Sequence, residues 1–252
     1  MYQFFVEDAQ ISNGIVTIEN EDVKHIKNVL RLKCGEKVRI SSNSGENYFG
    51  EIDTLADRMV LVRILEEHAA NTELPNKIYL FQGLPKSDKL EFIIQKAVEL
   101  GACEIIPVAM KNCVVKLDEK KASAKQTRWQ EIAKSAAKQS KRSIIPTVRK
   151  PLSYREALEA AAALDVRLVP YENERGMAAT KEAVEAVRPG QSIGIFIGPE
   201  GGFAEDEIAL AKERGMQLVS LGRRILRTET AGLAMLSILM YYIESAGEAD
   251  SE

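Results

Sequence analysis

The chain has 252 residues, 45% of them hydrophobic, and a formal net charge of −3; this suits one large globular domain or two modest ones and excludes disordered and fibrous classes. Its longest strongly apolar stretch, Leu233 to Ile243, is too short for a membrane span of about 20 residues, and the N-terminus Met1-Tyr2-Gln3-Phe4-Phe5-Val6-Glu7 lacks the basic and long apolar regions of a signal peptide. Cys34, Cys103 and Cys113 are odd in number and widely spaced, which gives neither a disulfide framework nor a zinc knuckle and suits a reducing cytoplasm.

Residues 1 to about 68 read as mostly β, with strand-like stretches at Val38-Arg39-Ile40, Tyr48 to Ile52 and Met59 to Leu65 and a turn at Asn43-Ser44-Gly45. One helix interrupts them: Val23, Ile26, Val29 and Leu30 recur at helical spacing, Asn20 is placed to cap the start, and Gly35 lies just past the end. His25 falls on the solvated face of that helix and His68 at a polar edge; neither suggests a metal ligand. Residues 69–76 break all periodicity and end near Pro75, marking a linker between a first domain (1–70) and a second (75–247).

Beyond the linker, strands and helices alternate. Lys77 to Gln82 reads as a strand. Ser87 is placed to cap a helix whose Leu90, Ile93, Ile94, Ala97 and Leu100 share a face, and Gly101 stops it. Cys103 to Met110 is a strand, 119–141 a long basic helix, and Ser153-Tyr154-Arg155-Glu156 a capping box opening an alanine-rich helix. Val166 to Val169, Ile193 to Ile197 and Gln217 to Leu221 are further strands. Being short apolar runs rather than alternating ones, they predict an α/β domain with a mainly parallel sheet covered on both faces.

Three strand-to-helix loops carry the chemistry. Gly198-Pro199-Glu200-Gly201-Gly202 follows one apolar strand; its glycines permit positive φ and close approach of a ligand to the backbone. Leu221-Gly222-Arg223-Arg224-Ile225-Leu226-Arg227-Thr228-Glu229 follows another, with arginines beside a strand end, where charge usually meets an anion. Thr228 is placed to cap the next helix, which is apolar almost all round and must bury its surface in the core or against another subunit. Gln82-Gly83-Leu84-Pro85-Lys86-Ser87-Asp88-Lys89 is the third. Ligands of α/β sheets bind at strand carboxyl ends, so these loops predict one composite pocket. From Lys116 to Lys150 there are eleven Lys/Arg against three acids, a local excess of eight, which leaves the remainder at −11. Such a segment is either a solvated helix face or an electrostatic footprint for phosphate backbones.

These residues resemble, in order along nearly the whole chain, the ribosomal RNA small subunit methyltransferase E family. The matching motifs are Val29-Leu30-Arg31-Leu32-Lys33 with Gly35, Gly83-Leu84-Pro85-Lys86 with Asp88-Lys89, Gln95-Lys96, Glu99-Leu100-Gly101, Gln139-Ser140 with Arg142, Gly198 to Gly202, and Leu221-Gly222 through Ala231. The chain departs from it at Lys138, often Glu in the family, and at Arg223, often Pro. The resemblance implies a SPOUT methyltransferase domain with a deep trefoil knot, an N-terminal PUA-like RNA-binding β-barrel, and a cytoplasmic homodimer with the pocket at its interface. It also implies S-adenosylmethionine as cofactor, no metal, no membrane, and methylation of uridine N3 in 16S rRNA of the small ribosomal subunit.

On that resemblance, cofactor contacts are expected at Val169, Gly198, Pro199, Gly201, Gly202, Leu221, Gly222, Ile225, Leu226 and Thr230. RNA phosphates are expected at Arg31, Lys33, Lys86, Lys89 and Arg142. Methyl transfer needs in-line alignment and removal of the imide proton; Glu229 or Glu200 is the candidate base and Arg227 the candidate stabiliser of the imide anion. Three rivals are a ribose-methylating SPOUT enzyme, a non-catalytic RNA-binding assembly factor, and a small-molecule α/β enzyme.

Overall fold

The computed structural model describes residues 1–68, 71–174 and 176–249; Ala69 and Ala70 of the expected linker lie outside them. The chain forms two compact units: Met1–Glu73 with Ala137–Ile145, and Leu74–Ala136 with Pro146–Glu252. The first unit thus takes in a segment from well beyond the linker, a long-range association that no local pattern announces.

In the first unit β1 (Tyr2–Val6), β2 (Ile11–Ser12), β3 (Ile15–Glu19), β4 (Lys37–Ser42), β5 (Asn47–Leu55) and β6 (Met59–Glu67) form one sheet in the order β1-β4-β5-β6-β3-β2. β1 pairs parallel with β4, and the other neighbours are antiparallel. Val16 and Ile18, Val38 and Ile40, Val60 and Val62 alternate along their strands and bury with Val23 and Ile26 in one core. Each such side chain stabilises by about 1.5–3 kcal/mol on burial. The other side of β4 is buried too, but polar. Gln3 Nε2 donates to Ser41 Oγ (2.9 Å) and to the Arg142 carbonyl (2.6 Å), Ser41 Oγ donates to Asn47 Oδ1 (2.7 Å), and Asn47 Nδ2 donates to Ser143 Oγ (2.8 Å). This network holds the 137–145 segment.

The expected single helix is an α-turn, α1 (Glu21–Lys24), running into a π-helical turn, His25–Leu30. The wider turn carries Val29 off the packed face, leaving it 66% exposed. Asn20 makes no side-chain cap; its own φ is 61°. The turn ends on Arg31 in the left-handed region, φ 54°.

The second unit contains β7 (Lys77–Gly83), α2 (Lys89–Glu99), β8 (Ala102–Ala109), α3 (Glu119–Ser140, its last turn in the first unit), β9 (Thr147–Val148), β10 (Leu152–Ser153), α4 (Tyr154–Ala161), β11 (Val166–Pro170), α5 (Ala178–Glu185), β12 (Ser192–Ile197), α6 (Glu205–Glu213), β13 (Gln217–Val219) and α7 (Thr228–Ala249). The strands lie in the order β10-β8-β7-β12-β11-β13, with β9 beside β8, and every pairing is parallel. Leu80, Ile105, Leu168 and Ile195 are fully buried, as both-face coverage of a parallel sheet requires. Phe81 and Phe196 stack across β7 and β12 with ring centroids 4.2 Å apart. The Ser153–Glu156 capping box forms as expected. Ser87 does not cap α2: Asp88 holds that position without a side-chain bond, and Ser87 turns the chain at φ 56°. β13 stops at Val219, which releases residues 220–227 as a longer loop than the apolar run suggests.

Candidate active site

The loops after β11, β12 and β13 open on one cavity of about 320 Å³. Pro170, Tyr171 and Glu172 line it after β11; Gly198, Pro199, Glu200, Gly202 and Phe203 after β12; and Ser220 through Thr228 after β13, with Lys89 and Ala231 completing the wall. Each loop has a local reason for its path. Gly202, at φ 65°, donates its N–H to the Pro199 carbonyl at 2.9 Å, while Asn112 Nδ2 donates to the carbonyls of Gly201 (3.0 Å) and Gly202 (3.2 Å). Glu207 Oε2 accepts the Ala204 N–H at 2.9 Å and opens α6. Gly222 adopts φ 103°, with nothing within 4 Å of where a Cβ would stand, so the backbone there is open to a ligand.

The floor is a close approach of two strand ends. A Cβ on Gly83 would lie 2.6 Å from Pro199 N. Beside it, Gln82 Nε2 donates to Thr228 Oγ1 at 2.8 Å, and Thr228 Oγ1 donates to the Gly198 carbonyl at 2.6 Å. Thr228 therefore does not cap α7 with its hydroxyl, as the sequence suggests; it bridges to the loop after β12.

Lys89, in the first turn of α2, sits between two carboxylates. Its Nζ lies 3.0 Å from Glu200 Oε1 and 3.4 Å from Glu229 Oε2. Glu200 also accepts the Lys86 N–H at 3.1 and 3.3 Å. Partial burial pushes the Glu200 carboxyl upward, but the Lys89 hydrogen bond and backbone N–H groups outweigh it and hold the carboxyl below its ordinary value. The Glu200 hydrogen bond raises the Lys89 ammonium, with burial opposing and Glu229 adding. Glu229 differs: its Oε2 is buried and takes no hydrogen bond among the described residues, leaving only the charge contact to Lys89. Arg223, Arg224 and Arg227 are exposed and enter no ion pair among the described residues.

Of the expected cofactor contacts, Gly198, Pro199, Gly202, Leu221, Gly222, Ile225 and Leu226 line the cavity. Val169 is fully buried beneath it, one residue before the lining Pro170. Gly201 faces Asn112 instead, and Thr230 is exposed away from the lining, with Ala231 in its place. Glu200 and Arg227 line the cavity, and Glu229 reaches it through Lys89. Sequence reasoning missed Tyr171 and Glu172, which carry no motif of their own, and did not single out Phe203 at the end of the glycine loop. Their signal is position alone, just past the ends of β11 and β12.

Among the expected phosphate contacts, Arg31, Lys33 and Lys86 are exposed. Lys89 is committed to its two carboxylates. Arg142 is a correction: it is 3% exposed, and its guanidinium is paired with Glu73, Nε lying 2.9 and 2.8 Å from the two carboxylate oxygens. A side chain so enclosed has no face to offer a phosphate. Much of the rest of the basic segment is ion-paired at the surface. Lys121 pairs with Asp118, Lys125 with Asp88, Arg128 with Glu91, Lys138 with Asp22, Arg149 with Glu104 and Lys150 with Glu119. Carboxylates from elsewhere in the chain meet five of its eleven cations and Asp118 and Glu119 within it meet two more, which favours the solvated-face reading over a broad RNA footprint. Lys138, the departure from the family pattern, also lies 5.7 Å from the centre of the Phe4 ring.

Among the described residues no helix is long and apolar enough to cross a membrane, and no group of three His, Cys, Asp or Glu is placed to hold a metal. Comparison with known proteins agrees with the geometry. Residues 72–240 match the model of an RNA methyltransferase domain, and residues 18–65 that of an RNA methyltransferase PUA domain. A ribosomal RNA small subunit methyltransferase E of Bacillus subtilis is 40% identical over 250 residues, 97% of this chain and 98% of that protein. The crystal structure of the enzyme of that name from Neisseria gonorrhoeae, bound to S-adenosyl methionine, is 34% identical with a TM-score of 0.83, covering 96% of this chain and 97% of that one. A methyltransferase structure from Legionella pneumophila in complex with the same cofactor is 30% identical, also with a TM-score of 0.83, covering 95% of this chain and 97% of that one.

Proposed function

This chain belongs to the ribosomal RNA small subunit methyltransferase E family, and we propose that it binds S-adenosylmethionine in the glycine-loop cavity and methylates N3 of a uridine in 16S rRNA. The residues present fit that cofactor. Its volume of about 320 Å³ falls in the range of small-molecule sites. Gly198, Gly202 and Gly222 leave backbone accessible, and Leu221, Ile225, Leu226 and Phe203 supply apolar wall for a flat base. When bound, the cofactor supplies an electrophilic methyl group on a sulfonium.

The carrying observation is the pair of carboxylates joined by Lys89 on the wall that also bears Arg227. Uridine N3 carries a proton that must leave for the nitrogen to attack. Glu200, held below its ordinary range and occupied by Lys86 and Lys89, is a poor acceptor. Glu229, whose Oε2 has only the Lys89 charge contact and no hydrogen bond among the described residues, is the less encumbered carboxylate and serves as the base once Lys89 turns to the substrate. Arg227, which enters no ion pair among the described residues, stands to stabilise the imide anion. Because N3 lies on the pairing edge, the target base must be unpaired or flipped. Arg223 and Arg224 on the rim, with Lys86, Arg31 and Lys33, supply phosphate contacts, which orient RNA without reading it.

A homodimer is part of the same reading. α7 buries Met235, Leu236, Leu239 and Ile243, yet Tyr241 stays 72% exposed and, with Met177 at 47%, edges an apolar groove between α5 and α7. A second subunit would cover it. The trefoil knot follows from family membership, supported by the passage of residues 220–227 into α7 beside the loops after β11 and β12. A cytoplasmic location follows from the proposed substrate.

Primer extension on small-subunit RNA incubated with protein and cofactor tests the assignment. N3 methylation blocks pairing and produces a reverse-transcriptase stop, whereas ribose methylation only slows the enzyme. No new stop at a uridine would overturn it.

A further inference from the structure

Resting on the reading of the cavity as a cofactor site, we propose that Gln82 and Thr228 are a positioning pair for the cofactor loop. Gln82, fully buried at the end of β7, spends both amide hydrogens: one on the Gly83 carbonyl at 3.1 Å, the other on Thr228 Oγ1 at 2.8 Å. Having accepted there, the hydroxyl uses its single hydrogen on the Gly198 carbonyl at 2.6 Å. The chain of bonds therefore has one sense. Reversing the amide would set Oε1 against the Gly83 carbonyl, oxygen to oxygen.

This orientation has a cost. Gln82 Oε1 is a buried acceptor with no hydrogen bond among the described residues, and such groups are destabilising. Opposite it stands Gly232 of α7, where a Cβ would come within 3.4 Å of that oxygen. An apolar residue at position 82 would avoid the cost, so core packing does not account for the amide. Its bond to Thr228 does. That bond and the one from Thr228 Oγ1 to the Gly198 carbonyl together join three segments far apart in sequence: the end of β7, the first turn of α7, and the start of the loop after β12. Thr228 and Gly198 both line the cavity. A cofactor that meets the exposed backbone of Gly198, Gly202 and Gly222 depends on where that backbone stands before binding, and a loop tied at Gly198 loses less freedom when the ligand arrives.

The test is calorimetric titration of S-adenosylmethionine into the wild-type protein, Thr228→Val, Thr228→Ser, Gln82→Leu and the Gln82→Leu/Thr228→Val double variant, with the melting temperature of each. Well below melting, Thr228→Val and Gln82→Leu should each raise the cofactor Kd about five- to tenfold, the effect of one neutral hydrogen bond. Thr228→Ser, which keeps the hydroxyl, should restore affinity to within about twofold, and the double variant should be no weaker than Thr228→Val alone, because the two residues act through one chain of bonds. The KM for RNA should not move. A purely structural role would lower the melting temperature and leave the Kd of the folded protein unchanged; that result, or additive losses in the double variant, would overturn the proposal. If Thr228→Val fails to fold, an unchanged Kd in Gln82→Leu overturns it alone. A wild-type protein that does not bind the cofactor would instead defeat the reading of the cavity.

Discussion

The Glu73–Arg142 pair gives the sharpest test of how the 137–145 segment is held. Arg142 is 3% exposed and the Glu73 side chain 15%. Glu73 Oε1 also accepts the N–H groups of Ser143 (2.7 Å) and Ile144 (3.3 Å). The two partners are therefore unequal. Arg142→Met leaves a carboxylate that still has two backbone donors. Glu73→Leu takes the carboxylate away from a buried guanidinium and from two backbone N–H groups together. It also removes a charge that supports Arg39, whose guanidinium burial already lowers and Glu73 raises. Breaking a buried pair from one side costs about 3–5 kcal/mol; Glu73→Leu should reach or exceed the top of that range and Arg142→Met about 2–3 kcal/mol, since its partner remains partly satisfied. Urea unfolding followed by circular dichroism measures both, and the Trp129 fluorescence of α3 gives a second probe. Equal losses, or a stable Arg142→Met whose only defect is weaker RNA binding, would refute the argument and return Arg142 to the phosphate-contact role.

Three further outcomes follow from the site. Gly83→Ala would drive a Cβ to 2.6 Å from the backbone nitrogen of Pro199; overpacking of this kind costs about 1–3 kcal/mol, and calorimetry should show cofactor affinity reduced with it, so an unchanged Kd would mean the two strand ends separate freely. Glu229→Gln and Arg227→Ala should each lower kcat about 100-fold or more while cofactor Kd changes by about threefold or less; near-normal turnover in both would remove them from the mechanism. Glu200 bears on acid stability. Its folded-state carboxyl lies below its ordinary value of 4.5, so its contribution is present above that value and is lost as pH falls through the lower folded one. The stability gap between wild type and Glu200→Gln, measured by denaturant titration, should be constant well above pH 4.5 and narrow as pH falls below it; a gap that does not narrow on acidification would contradict the ion pair with Lys89.

The two glycine loops, the parallel α/β order and the apolar α7 were legible because each rests on local chemistry: strand runs covered on both faces, positive-φ glycines at strand ends, and a capping box at Ser153. The helix at Val23 was legible as a helix but not as a π-helical turn. The same apolar residues satisfy either winding until a partner surface selects one, which is why Val29 ended outside. Charge was the least readable property. Lys and Arg along 116–150 look like a free basic surface until the fold brings Asp22, Glu73, Asp88, Glu91 and Glu104 to five of them.

What the chain determines by itself is where ligand-accessible backbone occurs and which residues could bear charge beside it: Gly198 to Gly202, Gly222, and the arginines from 223 to 227. Torsional freedom and side-chain type are properties of single positions. Pairing is not. Only the tertiary structure put Lys89 between Glu200 and Glu229, withdrew Arg142 into a buried pair, and turned Thr228 from a presumed helix cap into the link between Gln82 and Gly198. Those roles depend on atoms within about 3 Å of one another from segments as much as 146 residues apart, a proximity set by strand order and packing and carried by no local pattern.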